Sequence, residues 1–373
     1  MSLGAAPTIL VSAGEPSGDR HGAEVIAALR RLRPAWQFEG CGGPAMAGAG
    51  LQVRCGIDRL GAIGFLEVVR TIPRHLALYR SLVRDARAGR YSLAILIDYP
   101  GFHLRLGEAL RRAGVPVLQY VAPQLWAWRP GRLSRLLRSV DRLAAILPFE
   151  EAWFGARGMP CTYVGHPVLD RVWPTRAEAR GTLGLPPGVP VLGIFPGSRD
   201  GELHRNWPLF RDVGLRLLSE GRTAHVIVAG TVGGYYPDQG GIVVHRGAPE
   251  LVFAAATAGL IKSGTATLEA ACSDTPMAVA YRTPRSTYLI ATRLMTVNRI
   301  SLVNLVADED VVPEFWHPPV AAAPVADAVR PLLDESSAAY QAQRVGLAKV
   351  RGRLGTPGAA TRVAELAIEL LEC

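Results

Sequence analysis

Residues 115–129, with the sequence VPVLQYVAPQLWAWR, contain the pattern that decides the fold. The apolar run at 115–121 stops before Pro123, as is typical of a buried strand. Trp126, Trp128 and Arg129 follow that strand directly. Ligands of open parallel sheets bind beyond the carboxyl ends of the strands, so these three residues are predicted to line a binding cleft. The alternative is a pair of core tryptophans that closes a loop.

The same alternation of apolar strands and helical patterns runs through the first half of the chain. Strands are predicted at 8–13, 93–98, 143–147 and 162–164, and a helix at 19–31. Strands separated by helices favour a parallel, doubly wound sheet.

A break at 170–187, rich in proline and charged residues, separates this half from a second one of the same kind. Strands are predicted there at 191–195, 226–229, 242–244, 259–261 and 277–279. Residues 320–333, 337–353 and 359–371 have apolar residues at helical spacing. The predicted fold class is α/β, with one Rossmann-like domain at 1–168 and a second at 169–350.

The composition is that of a basic globular protein. The 373 residues include 41 Lys and Arg against 32 Asp and Glu, which gives a net charge of +9. This balance favours anionic partners such as phosphates, nucleic acid or an acidic membrane face. Five scattered cysteines without metal-ligand spacing indicate reduced thiols in the cytosol. The chain has no signal-peptide pattern and no apolar run of about 20 residues, so a soluble or peripheral protein is expected.

The first predicted strand leads into a turn at residues 14–19, with the sequence GEPSGD. Its glycines let a sugar or a phosphate approach the backbone. A strict GxGxxG pattern is absent, which argues against a nicotinamide dinucleotide.

Asp98 follows the apolar strand at 93–97. A carboxylate at the carboxyl edge of a sheet is placed to accept a proton from a substrate hydroxyl. His103 is a second candidate for a base or a phosphate contact, and the alternative for Asp98 is a turn cap.

Two turns of the second half combine small and polar residues in equivalent places. Residues 196–199, PGSR, follow the strand at 191–195, and Arg199 supplies a fixed cation. Residues 263–265, SGT, open a helix whose free N–H groups favour a pyrophosphate. Glu269 lies one turn on, where its carboxylate is placed to accept two ribose hydroxyls. The alternatives are an N-cap for residues 263–265 and solvated side chains for Arg199 and Glu269.

These motifs, in this order, resemble lipid A disaccharide synthase, a glycosyltransferase family of GT-B architecture, from about residue 9 to residue 305. The family pattern Gly-Glu-x-Ser-Gly-Asp matches residues 14–19, and its Pro-Gly-Ser-Arg followed by Glu matches residues 196–202. The resemblance implies two doubly wound Rossmann-like domains that face each other across a cleft. It also implies that residues 351–373 form a helix that returns to the N-terminal domain or to a partner chain.

The activity that the resemblance implies is transfer of 2,3-diacylglucosamine from its UDP derivative to 2,3-diacylglucosamine 1-phosphate, without a cofactor or a metal. Asp98 matches the proposed general base of the family, and Asn304 matches an asparagine near the nucleotide. Family members commonly have Asp and Asn where this chain has Gly101 and His103, which bears on acceptor specificity. The alternatives are a UDP-N-acetylglucosamine 2-epimerase and a non-catalytic nucleotide-sugar-binding protein of the same fold.

The candidate site therefore has two sides, with Arg282 expected to pair with a phosphate or with Glu269. The residues expected to bind the donor UDP are Gly197, Ser198, Arg199, Ser263, Gly264, Thr265, Glu269, Arg282 and Asn304. The residues expected on the acceptor side, beside the catalytic Asp98, are Glu15, Ser17, Gly18, Asp19, Trp126, Trp128 and Arg129.

Apolar residues interspersed with arginines between residues 63 and 80 are typical of a helix that lies at a membrane surface. The acylated substrates of the family favour this interpretation, and an amphipathic helix packed on the sheet is the alternative. An anionic membrane surface is thus an expected partner, nucleic acid is not, and a homodimer stays open. The expected location is the cytoplasm, peripherally on the inner face of the inner membrane.

Overall fold

The computed structural model describes residues 6–57, 65–127, 130–282, 288 and 298–372, with the backbone alone for residues 65–72 and 130. The chain divides into two compact units. The first unit contains Met1–Asp170 and Thr356–Cys373, and the second contains Arg171–Gly355.

The described residues of the first unit form a parallel seven-stranded sheet in the order β3-β2-β1-β4-β5-β6-β7. Its strands are β1 Thr8–Ala13, β2 Gln37–Gly42, β3 Gln52–Gly56, β4 Leu93–Ile97, β5 Val117–Tyr120, β6 Arg142–Ala145 and β7 Cys161–Tyr163. Leu10 of β1 pairs with Glu39 on one side and with Ala94 on the other. Because the strand order reverses between β1 and β4, the loops after these strands meet at the carboxyl edge of the sheet.

Helices connect these strands and cover the sheet. The described α-helices before residue 170 are α1 Pro16–Leu32, α2 Pro44–Gly48, α3 Phe65–Arg87, α4 Pro100–Arg112, α5 Leu133–Ser139 and α6 Glu150–Gly155. α1 begins at Pro16, whose fixed φ suits the first turn of a helix, and its last turn contains Arg30 and Arg31. Its apolar face, which includes Val25 and Leu29, is buried in the core of the first unit.

The described residues of the second unit form a parallel six-stranded sheet in the order β10-β9-β8-β11-β12-β13. Its strands are β8 Val191–Phe195, β9 His225–Ala229, β10 Val243–His245, β11 Ala258–Lys262, β12 Met277–Ala280 and β13 Glu314–Phe315. Ile194 of β8 pairs with Leu260 of β11, and the strand order reverses between these two strands. The loops after β8 and β11 therefore meet at the carboxyl edge of this second sheet.

The second unit has its own helices and its own core. Its described helices are α7 Arg176–Leu183, α8 Asp200–Ser219, α9 Pro249–Ala255, α10 Ala266–Cys272, α11 Leu302–Ala307, α12 Ala322–Val329 and α13 Ala338–Arg353. Trp207 and Phe210 of α8 are buried against the sheet together with Val325 of α12.

One more helix, α14 Ala359–Glu372, belongs to the first unit although it follows the second unit in the sequence. Val363 and Ala367 are fully buried in the core that contains α1 and the first sheet. The carboxylate of Asp170 accepts the N–H of Ala359 at 3.2 Å, and Nε of Arg362 donates to the Val164 carbonyl at 2.7 Å. The start of α14 is thus fastened to the residues that follow β7.

Candidate active site

Asp98 is the first residue after β4, and its backbone lies in the left-handed region. The φ angles of Asp98 and Tyr99 are 49° and 51°, which costs residues other than glycine about 1–3 kcal/mol. Two side chains hold the Asp98 carbonyl: Nδ1 of His103 donates to it at 2.7 Å, and Nε2 of Gln119 donates at 3.2 Å. The turn that bears the candidate base is therefore fixed from α4 and β5.

His103 is fully buried, and both of its ring nitrogens form hydrogen bonds. Because a carbonyl only accepts, Nδ1 carries the proton toward Asp98, and Nε2 accepts from the hydroxyl of Ser12 at 2.9 Å. Burial lowers the pKa of His103 to about 4, so the ring is neutral at pH 7. The structure thus places His103 inside the unit as a support for the Asp98 turn. A base or a phosphate contact would need an exposed ring nitrogen.

The turn after β1 packs against the Asp98 turn. A β-carbon on Gly14 would collide with the ring of Tyr99, so this position requires glycine. Burial and, after it, the negative charge of Glu15 raise the pKa of Tyr99. Glu15 and Ser17 are both partly exposed. The fold therefore brings these two acceptor-side candidates to the same edge of the sheet as Asp98.

Asp19 and Gly18 have buried surroundings instead. The Asp19 carboxylate accepts the backbone N–H groups of Gly43, Ala45 and Met46 at 2.7, 3.0 and 3.1 Å. These are the first N–H groups of α2, so Asp19 caps that helix from a distance in the sequence. Asp19, on α1, thereby anchors the loop after β2 and the start of α2.

Trp126 is buried, and its Nε1 donates to Oε1 of Glu150 at 2.9 Å. Its ring meets that of Phe149 edge-on, with centroids 4.9 Å apart. Burial raises the pKa of Glu150 to about 7, against the lowering effect of the hydrogen bond from Trp126. A core tryptophan that closes a loop is therefore the better description of Trp126. Trp128 and Arg129 lie outside the described residues.

The second sheet presents two glycine turns at its carboxyl edge. Gly197 follows β8 with φ 123°, and Gly264 follows β11 with φ 144°, values that L side chains rarely adopt. Ser198, Arg199 and Thr265 beside these glycines are exposed. Glycine turns at the ends of neighbouring strands, with an arginine beside them, are a combination suited to an anion.

Asn206, on the buried face of α8, joins these turns to β12. Its Nδ2 donates to the Pro196 carbonyl at 2.9 Å, and its Oδ1 accepts the N–H of Arg282 at 3.0 Å. The guanidinium of Arg282 lies 3.5 Å from the Val320 carbonyl. Sequence reasoning missed Asn206, although an asparagine among buried apolar residues next to Trp207 is a signal that could have found it.

Glu269 and Asn304 both have partners within the second unit. The Glu269 carboxylate forms a hydrogen-bonded ion pair with Arg171, whose guanidinium also lies 3.6 Å from Glu250. The Glu269 side chain is 17% exposed. Asn304 is buried, and its amide exchanges hydrogen bonds of 2.8 and 2.9 Å with the backbone of Val312. Its side chain therefore holds the segment before β13.

Among the described residues, no group of three His, Cys, Asp or Glu side chains could hold a metal ion. The sequence has an Asp-x-Asp triplet at 308–310, but Arg299 lies 3.0 Å from Asp308 and 2.7 Å from Asp310. The guanidinium of Arg299 thus pairs with both carboxylates. In the part of the chain that is described, no helix has both the length and the apolar sequence needed to cross a membrane.

Comparison with known proteins assigns the family. The lipid-A-disaccharide synthetase family matches residues 9–356. The chain belongs to this family. It is 40% identical over 380 residues to the lipid-A-disaccharide synthase of Myxococcus xanthus, with 98% of each chain covered. It is 36% identical over 381 residues to the enzyme of that name from Geobacter sulfurreducens, with 97% of each chain covered.

The lipid-A-disaccharide synthetase family consists of glycosyltransferases of lipid A biosynthesis, as the sequence motifs predicted. Solved structures with a similar fold include the calicheamicin glycosyltransferase, with TM-score 0.61, 15% identity and 98% of each chain covered. A Medicago truncatula protein complexed with UDP-glucose has TM-score 0.64 and 12% identity over the whole of both chains. These neighbours are GT-B glycosyltransferases, so the predicted GT-B fold is confirmed.

Proposed function

We propose that this enzyme transfers 2,3-diacylglucosamine from UDP-2,3-diacylglucosamine to 2,3-diacylglucosamine 1-phosphate. The products are the β-1,6-linked lipid A disaccharide 1-phosphate and UDP. The observation that carries the proposal is the Asp98 turn. His103 and Gln119 donate hydrogen bonds to the backbone carbonyl of Asp98, and Asp98 is partly exposed. The names of relatives at 36–40% identity support the choice of substrates.

In this proposal Asp98 accepts the proton of the acceptor 6-hydroxyl while the hydroxyl oxygen attacks C1 of the donor sugar. The bond between C1 and the diphosphate oxygen breaks, and UDP leaves with the bonding electrons. Attack from the side opposite the leaving group inverts the configuration at C1, which gives the β linkage. His103 takes no proton, because its pKa is lowered to about 4 and both ring nitrogens are occupied.

The leaving diphosphate needs positive charge. Arg199, Arg282 and the backbone N–H groups of residues 263–265 are proposed to supply it. α10 has only seven residues, so these N–H groups and the side-chain cations, more than a helix dipole, stabilise the departing charge. The proposal includes no divalent cation.

The acceptor side is proposed to work at an anionic membrane surface, on the inner face of the inner membrane. Leu76 of α3 is 42% exposed, and Arg74 and Arg80 beside it are exposed as well. Nε2 of His75, on the same helix, lies 3.2 Å from the hydroxyl of Tyr99 in the Asp98 turn. An apolar and basic helix next to the base turn supports delivery of an acylated acceptor from the lipid phase.

Vesicle sedimentation tests the membrane part. Binding to anionic vesicles should exceed binding to neutral ones and should weaken with salt, since each surface cation contributes about 1 kcal/mol at low screening. Replacing Phe65 and Leu66 by Ser should reduce binding without lowering the melting temperature. A sharp loss of thermal stability would place these residues in the core and contradict the membrane interpretation.

Mass spectrometry of one reaction tests the transfer itself. The purified protein is incubated in detergent with both acylated substrates, and the tetra-acyl disaccharide 1-phosphate is the expected product. A parallel incubation with UDP-N-acetylglucosamine alone detects the alternative epimerase through a manno epimer. If the protein binds UDP but forms neither the disaccharide nor free UDP from the donor, it is a nucleotide-sugar-binding protein and not an enzyme.

A further inference from the structure

We infer that Lys262 binds the diphosphate of the nucleotide-sugar donor and that Glu202 holds its ammonium group in position. The inference rests on the proposed function, because it adds one residue to the same donor site. Lys262 is not among the donor residues that the sequence motifs indicated, although it directly precedes the Ser-Gly-Thr turn.

Lys262 occupies a central place in the second unit. It is the last residue of β11, which lies between β8 and β12 in the sheet. Its side chain is 21% exposed, so the ammonium is neither buried in the core nor free in solvent. A strand end at the point where the strand order reverses is the place where open α/β sheets bind ligands.

The surroundings of the ammonium come from three loops. Its Nζ lies 3.0 Å from Oε1 of Glu202, in the first turn of α8 that follows β8. It lies 5.6 Å from the ring centroid of Tyr281, which follows β12. It also lies 3.6 Å from the position that a β-carbon on Gly264 would take. The side chain therefore crosses the turn after its own strand and stands where the three loops converge.

Gly264 leaves room for a ligand beneath this ammonium. Among the described residues, Nζ of Lys262 is the one atom within 4 Å of the position that a β-carbon on Gly264 would take, chain neighbours apart, so the space on that side is otherwise open. The hydroxyl of Ser263 donates to the Ile300 carbonyl at 2.6 Å and fixes the turn from the other side. An anionic oxygen can thus approach the backbone of Gly264 and the Lys262 ammonium together.

Glu202 is suited to orient this lysine while leaving N–H donors of its ammonium available to a ligand. The Glu202 side chain is 13% exposed and packs over the Gly197 turn, with Oε2 2.9 Å from the position of a β-carbon there. An ammonium has three N–H donors, and the hydrogen bond to Glu202 occupies one of them. The other two can reach phosphate oxygens, and a diphosphate brings more negative charge than the single carboxylate. Glu202 is therefore a positioning residue, and Lys262 is the ligand contact.

The chain offers a matched control, because Lys262 and Lys349 are its only lysines. Lys349, on α13, is 47% exposed and pairs with Glu309. Isothermal titration should show UDP binding about 10- to 100-fold more weakly to Lys262→Met, as loss of a charged hydrogen bond predicts. Uridine should bind both proteins equally, and Lys349→Met should bind UDP like wild type.

A double variant separates contact from repulsion. Lys262→Met leaves the Glu202 carboxylate unpaired, and this charge alone would repel a diphosphate. If Glu202→Gln/Lys262→Met still binds UDP as weakly as Lys262→Met, direct contact is supported. Recovery of wild-type affinity in the double variant would overturn it, as would equal UDP affinity of wild type and Lys262→Met.

Amine labelling gives a second readout on the wild-type protein. UDP should protect Lys262, and not Lys349, from an amine-reactive reagent, as peptide mass spectrometry would report. UDP binding without protection of Lys262 would overturn the inference and leave the proposed function intact. A wild-type protein that binds no UDP would instead overturn the proposed function.

Discussion

The carboxyl edges of the two sheets carry candidate sites of opposite construction. At the first edge, polar groups are buried and paired: His103 bonds to Ser12 and to the Asp98 carbonyl, and Trp126 bonds to Glu150. At the second edge, exposed residues such as Arg199 stand beside glycine turns. A general base needs a carboxylate in a fixed place, whereas a diphosphate site needs open backbone and cations.

The backbone follows the same division. After β4 and β5, left-handed positions fall on Asp98, Tyr99 and Val121, with φ values of 49°, 51° and 65°. After β8 and β11 they fall on Gly197 and Gly264. Side chains in a left-handed conformation cost stability and persist only where the surroundings impose them, while glycine adopts it freely. The turns of the first edge are therefore held by their surroundings, whereas those of the second edge rest on the conformational freedom of glycine.

Asp98→Asn is the strongest test of the first edge. Transfer should slow by about 10²–10⁴-fold, because the general base is lost while the isosteric amide keeps the turn. UDP affinity, measured by titration calorimetry, should stay at the wild-type value. A variant that retains nearly the full rate would remove Asp98 from the catalytic role and the first edge from the chemistry.

Glu269→Ala tests the second edge. The donor KM should rise by about 10- to 100-fold with little change in the acceptor KM, since a charged hydrogen bond to the ribose is lost. Glu250→Ala is the matched control, because it removes the other carboxylate near Arg171, at 3.6 Å, and leaves Glu269 in place. Equal losses in both variants would mean that the carboxylates serve Arg171 and not the nucleotide.

Two buried groups of the first edge, His103 and Glu150, should make the stability of the folded protein depend on pH in opposite directions. The folded pKa of His103, about 4, lies below its ordinary 6.5, so its contribution to stability is lost as pH falls through that interval. The folded pKa of Glu150, about 7, lies above its ordinary 4.5, so its contribution is lost as pH rises from about 4.5 to 7. Between about pH 4.5 and 6.5 the two effects oppose each other.

Glu150→Gln should therefore remove one of these pH dependences and leave the one that His103 causes. The free energy of unfolding of this variant relative to wild type should increase by ~2–3 kcal/mol from pH 4.5 to 6.5, measured by denaturant titration. Glu151→Gln, at the exposed neighbouring position, is the control and should follow wild type. A relative stability that does not change with pH would show that Glu150 ionises normally in the folded protein.

The smallest expected effect is that of a chelator. EDTA should leave the transfer rate unchanged, because basic side chains and backbone N–H groups of the second edge are proposed to neutralise the diphosphate. Loss of turnover that magnesium restores would contradict that assignment.

The sequence predicted ten of the thirteen described strands to within two residues at each end and missed β2, β3 and β13. The strands predicted at 8–13 and 191–195 coincide with β1 and β8, whose burial leaves an unbroken apolar pattern. β2 and β3, QFEGCG and QVRCG, were missed because they mix polar and small residues, and β3 is the edge strand of its sheet. The break predicted at 170–187 begins where the structure divides the chain, at Asp170 and Arg171.

The motifs located the turns at both edges but not the function of each side chain in them. Asp19 caps a helix that begins 25 residues later, and Trp126 bonds to Glu150, 24 residues away. His103 turns into the core because Ser12 and the Asp98 carbonyl lie there. Such partners are set by the packing of separate elements, which local patterns do not encode.

The position of α14 has a consequence for synthesis on the ribosome. The core of the first unit includes Val363, Ala364 and Ala367, which are translated after the whole of the second unit. Domains of most proteins mature in the order in which they are made. Here the second unit, continuous from Arg171 to Gly355, has all its residues available first. The first unit, although its translation starts first, can complete its core only after α14 has been synthesised. Until then the apolar surface that α14 covers is exposed.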